Sequence, residues 1–561
     1  MKGGKVLFLY AVCGISGQIL FLFAPSAVGV SGYYAFASAG FVCWLSAALI
    51  FFRKTLKPGF KETNGEVPLN LPSIARGFRR WQAGAAFLLI MASAFYFRMH
   101  RLEEVPGGLW YDEAINLLDA RSTAGGDIRI IYNSYGHPRQ PLYIYFTALI
   151  IKLIPESPLA LRLSSALFSV ITIAVMFLAV SVMFGFPTAF FSCFLFATSF
   201  WITALSRTGF RAVTSPLFEI LLLWLFYSWL SGKRKETLNA FLAGAVTGFG
   251  CYTYLAFYSL LITAPVIFLF LGKKLRSPCR SGAAFTCALL ITLSPLVYHY
   301  SKYPEDLLKR GAEVSVLNSP APAAEILKNV LKTAAAFNLY TGGKHPRSLP
   351  PARALLNCAA GFLFITGFLW GFGKKGKYRL VFIFLAASLI PSILSSGAPH
   401  PLRLVNAAVP VFILCGAALS SISGKRIVKT AVPLLFLLLS LAGDHRAYFS
   451  EYAENPELWY AFEKDACAAV PFILEKQKSY SLYFSKRWEN NPVFRLVPAI
   501  KHEGIRKDGR YDMDKALFLI SGYEIQNYEW LKKRYPELKL FRLCDTETGN
   551  LITCIFSKRP L

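Results

Sequence analysis

The chain has 561 residues, 55% of them hydrophobic and only 16% charged, with apolar runs recurring along most of its length. That composition excludes an ordinary soluble globule and reads as a polytopic membrane protein. The net charge of +28 does not argue for nucleic acid, because the lysines and arginines cluster in short loops between apolar runs, where positive-inside retention explains them.

Lys2 and Lys5 precede an apolar run from Val6 to Phe23. With Ala24-Pro25-Ser26-Ala27 after it, this run resembles a cleaved signal peptide, but its length favours a retained helix. A second span is expected from Tyr33 to Phe52, followed by a cytoplasmic loop bearing Arg53, Lys54, Lys57, Lys61, Arg76, Arg79 and Arg80. Residues 1–81 thus form two helices and a basic loop.

A third span, Gln82 to Phe97, delivers Gly107 to Gly126 to the extracytoplasmic face. This stretch carries the adjacent carboxylates Asp112 and Glu113 at the start of a short helix, with Ala114, Leu117 and Leu118 on one face and Gly125-Gly126 at its end. Charge beside a bilayer is costly unless it is used or paired, so the acidic pair is a functional candidate. The bland alternative is that Asp112 caps the helix.

Pro141 to Ile154 is too short to span, at roughly 21 Å as a helix. Its residues Leu142, Phe146, Leu149, Ile150 and Leu153 follow helical spacing, so it is expected to lie at the membrane surface. Further spans are expected at about 158–184, 187–205, 212–230, 237–254, 255–271, 281–299, 352–372, 378–396, 403–421 and 427–443. About thirteen spans with a cytoplasmic N-terminus leave the C-terminus outside, and loops such as Lys233-Arg234-Lys235, Lys273-Lys274 and Lys425-Arg426 then fall inside. The loop 300–351 is outside and could cover a carrier or an acceptor.

After Gly443 the composition becomes that of a soluble domain, 444–561. A helix at 456–475, strands at 480–484 and 516–520, a helix at 526–534 and a hairpin at 538–543 and 551–556 suggest a small extracytoplasmic α/β domain without a catalytic motif. Cys544 and Cys554 flank the hairpin and could pair in an oxidising compartment. The eleven cysteines include no CxxC and no zinc spacing, and most lie in apolar runs as small core residues.

The order of a span, Leu109-Trp110-Tyr111-Asp112-Glu113-Ala114, a short helix, Gly-Gly, His137-Pro138-Arg139-Gln140-Pro141-Leu142 and Leu161-Arg162-Leu163-Ser164-Ser165-Ala166-Leu167 resembles the core of GT-C glycosyltransferases. Within that fold it is most similar to the protein O-mannosyltransferase and lipid A aminoarabinose transferase group, including bacterial family-39-like proteins. The resemblance covers roughly residues 82–443. It implies an enzyme that moves a sugar from a polyprenyl-phosphate carrier to an extracytoplasmic lipid, glycan or protein.

It further implies that Asp112 is the catalytic base, with Glu113 beside it, and that Arg139 stands where relatives place a donor-phosphate lysine before Pro-Pro-Leu. Gln140 replaces the first proline, so that match is partial. Relatives frequently carry another aspartate after the fifth span. Here Ser206 to Ser215 holds no carboxylate, which disfavours a divalent metal as cofactor and a second acidic contact.

The chemistry asks for the same groups independently. A carboxylate can take the acceptor's proton, and cations can stabilise the departing phosphate, arginine best because its fork binds two oxygens. His137, Arg139, Arg207, Arg211, His400 and Arg403 are the candidate phosphate contacts, against the alternative of arginines snorkelling at span ends. A single inverting displacement then suffices. The competing class is a transporter or flippase of lipid-linked glycans, which needs polar groups along a path through the bilayer, whereas charge in these spans is scarce apart from Glu219.

Overall fold

The computed structural model describes residues 80–559 except 232–234, 273–274, 340–344, 350–352, 424 and 547. The two expected spans before residue 80, their basic loop and most of the Lys233 and Lys273 loop clusters lie outside the described residues. The chain divides into two compact units, one comprising residues up to Leu102 and Asp119–Tyr452, the other Glu103–Leu118 and Ala453–Leu561.

The first unit is helical. It begins with α1 (Arg80–Met99), takes in α2 (Tyr111–Ala124) only from Asp119 onward, and continues through α3 (Leu142–Ile151) into α4 (Pro158–Phe184). Ser157 caps α4, its hydroxyl accepting from Ala160 N at 3.2 Å, and Pro158 fills the first turn, where a missing N–H costs nothing. Helices α5 (Phe186–Thr198) and α6 (Phe200–Ser206) are bent by 59° at Ser199, so the expected span 187–205 is broken rather than straight. Next come a 3-10 turn and α7 (Ser215–Leu230), α8 (Glu236–Gly250), a 3-10 segment and α9 (Thr263–Leu271), and α10 (Pro278–Lys302). Helices α11 (Glu305–Val314) and α12 (Pro322–Ala335) fill the loop after it, and α13 (Cys358–Phe372), α14 (Lys377–Ile393), α15 (Ala408–Ser420) and α16 (Arg426–Arg446) complete the unit.

Among the described residues, five helices are long and apolar enough to cross a membrane, or six if the bent pair is one span. The protein is a multi-pass membrane protein; of the eleven expected spans that fall among the described residues, five, or six with the bent pair, have that length and apolarity. The apolar runs are helical, yet several are short: α8 and α13 have 15 residues each, about 22 Å against roughly 30 Å of hydrocarbon. The run 255–271 starts as a 3-10 turn with only nine α-helical residues after it.

Close helix crossings depend on glycine. On α8, a Cβ at Gly244 would overlap the carbonyl of Phe285 on α10, and one at Gly248 would overlap Thr292. On α13, a Cβ at Gly367 would overlap the carbonyl of Leu414 on α15. Both helices read Gly-x-x-x-Gly, which places two small residues on one face and lets backbones approach.

Helix α3 buries Tyr143, Ile144, Thr147, Ala148 and Ile150, and the Tyr143 hydroxyl donates to Leu161 O at 2.8 Å. The stripe singled out in the sequence is largely on the other side, with Leu149 52% exposed. A helix apolar all round offers no periodicity to distinguish its two faces.

The second unit contains a five-stranded sheet of order β2-β1-β3-β5-β4. Its strands are β1 (Ser481–Phe484), β2 (Glu503–Gly504), β3 (Ala516–Ser521), β4 (Lys539–Cys544) and β5 (Leu551–Ser557). β1 runs parallel to β2 and β3, and β5 is antiparallel to β3 and β4. The expected strands and hairpin are present, and α17 (Leu458–Ala461) and α18 (Lys464–Lys476) divide the expected helix 456–475. β3 is buried along its whole length, as a strand covered on both faces must be. Cys544 and Cys554 are both free; Cys554 pairs in register with Arg542 instead.

Candidate functional site

The acidic pair divides its labour. Helix α2 begins at Tyr111, and Glu113, in its first turn, accepts from Trp110 N at 3.0 Å through Oε2. This is the reach-back half of a capping box, satisfying a donor that the helix start would otherwise orphan. The capping weighed as the alternative role of Asp112 is carried out here by Glu113, which is fully buried, while Asp112 stays half-buried. Upstream, Gly108 adopts φ +73°, and a Cβ there would overlap Phe462 O and come within 2.9 Å of Lys464 N. Only glycine lets this turn lie against the start of α18.

Arg139 is held by an acid that motif reading overlooked. Its Nε and Nη2 donate to Oδ2 of Asp119 at 3.1 and 2.8 Å, both side chains being buried. Ser134 donates to Oδ1 of the same carboxylate at 2.5 Å. A backbone bridge between Tyr132 and Arg139 fixes the loop that carries the guanidinium. His137 is half-exposed, its Nδ1 lying 3.6 Å from Glu313 Oε2.

Arg207 is buried, with Nε donating to the Tyr448 hydroxyl and Nη1 to Phe97 O, each at 3.1 Å. Its charge lies over the rings of Tyr448 and Phe449, at 5.2 and 5.4 Å. Arg98, in the last turn of α1, is also buried and bonds Ser169 Oγ at 3.1 Å and the Ala197 carbonyl. It feels the repulsion of Arg207, to which Arg162 and Arg101 add further positive charge. Arg211 packs over Phe210 and Tyr254.

His400 and Arg403 share one turn, Arg403 N donating to His400 O at 3.0 Å. The His345 ring packs on His400 with centroids 4.1 Å apart. Burial, with Arg403 and Arg347 nearby, holds His345 below the usual imidazole range. Among the described residues, no group of three or more His, Cys, Asp or Glu side chains is placed to hold a metal ion.

The apo structure of ArnT from Cupriavidus metallidurans superposes with a TM-score of 0.52 at 14% identity, over 85% of this chain and 98% of that one. The chain has a GT-C fold. The undecaprenyl-phosphate-bound structure of the same ArnT gives a TM-score of 0.50 at 13% identity, over 85% and 97% of the two chains. Archaeal oligosaccharyltransferase AglB from Archaeoglobus fulgidus gives 0.49 at 12% identity, over 84% of this chain and 74% of that one. Residues 136–299 match the family described as dolichyl-phosphate-mannose-protein mannosyltransferase. Against the curated proteins the sequence has no match.

Within the GT-C fold, the matched segment carries His137, Arg139, Arg162, Arg207 and Arg211 but not the acidic pair. Asp119, Arg98 and His345 were not among the residues singled out in the sequence. Asp119 follows Asp112 by seven positions, two helical turns, a spacing that motif reading passed over. His345 precedes a proline in a loop, and nothing in its own spacing links it to His400.

Proposed function

We propose that this protein is an integral membrane glycosyltransferase that transfers a sugar from a polyprenyl-phosphate donor to an extracytoplasmic acceptor by a single inverting displacement. The acceptor hydroxyl oxygen attacks the anomeric carbon, the carbon–phosphate-oxygen bond breaks, and the prenyl phosphate departs with the electron pair. Asp112 takes the hydroxyl proton. Arg139, Arg207, Arg211, His137, His400 and Arg403 are the candidate cations for the donor phosphate.

The observation that carries this reading is the division of the acidic pair. Glu113 reaches back to Trp110 N and Asp112 is the second residue of the helix rather than its N-cap, so capping does not account for Asp112. A half-buried carboxylate next to a membrane then calls for a use. The GT-C fold supports the reaction class, and one of the matching ArnT structures has undecaprenyl phosphate bound. Arg139 enters paired one to one with Asp119 through Nε and Nη2, with Nη1 held only by His137 O at 3.4 Å, so Nη1 is the part of the fork that would meet a ligand.

The enzyme is favoured over a lipid-linked-glycan transporter by where the buried cations sit. Arg98 and Arg162 lie in the last turn of α1 and near the start of α4, helix ends rather than a path across the bilayer. The test is to supply purified protein in proteoliposomes with labelled polyprenyl-phosphate hexose or pentose and an envelope-glycan acceptor. Acceptor-dependent release of prenyl phosphate is expected. Movement of intact donor between leaflets without cleavage would contradict the assignment.

A further inference from the structure

The parallel part of the sheet has the order β2-β1-β3. The chain leaves β1 to one side to form β2 and returns on the other side to form β3. In open α/β sheets, ligands bind outside the carboxyl ends of strands where the order reverses in this way, here between β1 and β3. The residues gathered at that edge are polar and aromatic rather than core-like.

Ser485 follows β1 and Ser521 ends β3, and Ser521 N donates to Ser485 Oγ at 3.3 Å. Asp465, in the first turn of α18, is fully buried behind them. Its Oδ2 accepts from Ser521 Oγ at 2.9 Å and Trp488 Nε1 at 3.3 Å, whereas Oδ1 has no partner. A buried carboxylate oxygen without a donor is costly, and native structures seldom keep one without a use.

One residue away from α18, Glu463 holds φ +50° and takes Arg487 at 2.9 Å on Oε1 and Asn491 at 3.0 Å on Oε2. A non-glycine residue in this region is strained, and such strain concentrates at functional positions. Arg487 lies 5.1 Å over the ring of Tyr523, keeps its Nε without a partner, and sits beside Tyr460 O at 2.9 Å. Tyr523 is 70% exposed, and its ring centroid is 5.9 Å from that of Tyr460.

We propose that this carboxyl edge of β1 and β3 is a carbohydrate-binding site that holds the acceptor glycan. Calling the ligand the acceptor rests on the function proposed above; the carbohydrate chemistry does not. Sugar hydroxyls donate to carboxylates and accept from a guanidinium, and the apolar face of a pyranose or furanose packs on an exposed tyrosine ring. Glu463, Asp465 and Glu524, the last accepting from Arg487 N at 3.0 Å, offset Lys464, Lys486 and Arg487 at this edge, which leaves no net positive charge for a phosphate or nucleotide, the usual ligands of such a crevice. Glu103–Leu118, with Asp112, belongs to the same compact unit, and its Gly108 turn lies on Phe462 and Lys464, next to Glu463. The unit that binds the acceptor therefore carries the group that deprotonates it.

The experiment uses the full-length protein in detergent on an array of immobilised glycans built from pentoses, hexoses and N-acetylhexosamines, with no donor present. The wild type is expected to retain at least one class. Tyr523→Ala should weaken that binding tenfold or more, and Tyr523→Phe should keep it because the ring remains. Asp465→Asn, which preserves the acceptor for Ser521 and Trp488, should weaken it as well. Wild-type protein that retains no glycan, or a Tyr523→Ala variant that binds as the wild type does, would overturn the proposal. Sugar transfer by a protein that fails this array would leave the glycosyltransferase reading intact while removing the site.

Discussion

At the scale of single residues, the ion pair of Arg139 and Asp119 separates structural from chemical roles. Removing only the carboxylate, as in Asp119→Ala, strands a buried guanidinium and should cost about 3–5 kcal/mol of stability. The double variant Arg139→Met with Asp119→Leu should recover most of the lost melting temperature, because replacing both partners by apolar groups is close to neutral. Its transfer activity should not recover if Arg139 binds phosphate. Thermal unfolding and turnover on the same three proteins test both halves.

Asp465 gives a pH test. Burial raises its pKa above the usual carboxylate range, so between the ordinary and the raised value the folded unit binds more protons than the unfolded chain. Its contribution is full below the ordinary carboxylate pKa and is lost as pH rises from there through the raised value. Asp465→Asn should remove that dependence and raise stability at pH 7 by about 1 kcal/mol, while weakening glycan binding. Melting curves from pH 4 to 8 measure it, and a variant no more stable than wild type at pH 7 contradicts it.

At the scale of elements, four of the five strands of the second unit were legible as short apolar runs between turn residues, as in Leu551–Ser557 with its Ile, Thr and Phe; β2, only Glu503–Gly504, carries no such run and was not expected. Helix existence was legible for the same kind of reason. Span length was not, because a 3-10 turn at Leu255–Ile262 or a bend at Ser199 leaves hydropathy unchanged while shortening the helix. The buried face of α3 was hidden by its uniform apolarity. The glycine pairs offered a readable signal that went unused. Gly244→Leu sets a side chain against the backbone carbonyl of Phe285, which cannot rotate away, and should destabilise the protein by about 1–3 kcal/mol. Unfolding in detergent with an unchanged melting temperature would show that α8 and α10 are not held by this approach.

At the scale of the whole molecule, the candidate site was partly legible. The Asp112 motif and the arginines stand in the sequence, but the partners that define their chemistry, Asp119 for Arg139 and Tyr448 for Arg207, come from 20 and 241 positions away. No local spacing reports a contact across 241 residues. The orientation expected from the basic loops can be tested: in a variant with its native cysteines replaced by serine, single cysteines introduced at Ser134 and Lys425 should react with an impermeant maleimide only from opposite sides of the membrane, Ser134 from outside. Labelling of both from one side contradicts the topology.

The central claim is that Asp112 is the base and Glu113 the cap. The direct measurement is the rate of sugar transfer from a defined polyprenyl-phosphate donor by purified wild type, Asp112→Asn and Glu113→Gln. The account predicts that Asp112→Asn loses at least about 10²-fold in turnover with its melting temperature kept, while Glu113→Gln, which retains an oxygen for Trp110 N, stays within an order of magnitude of wild type. Full transfer by Asp112→Asn would contradict it.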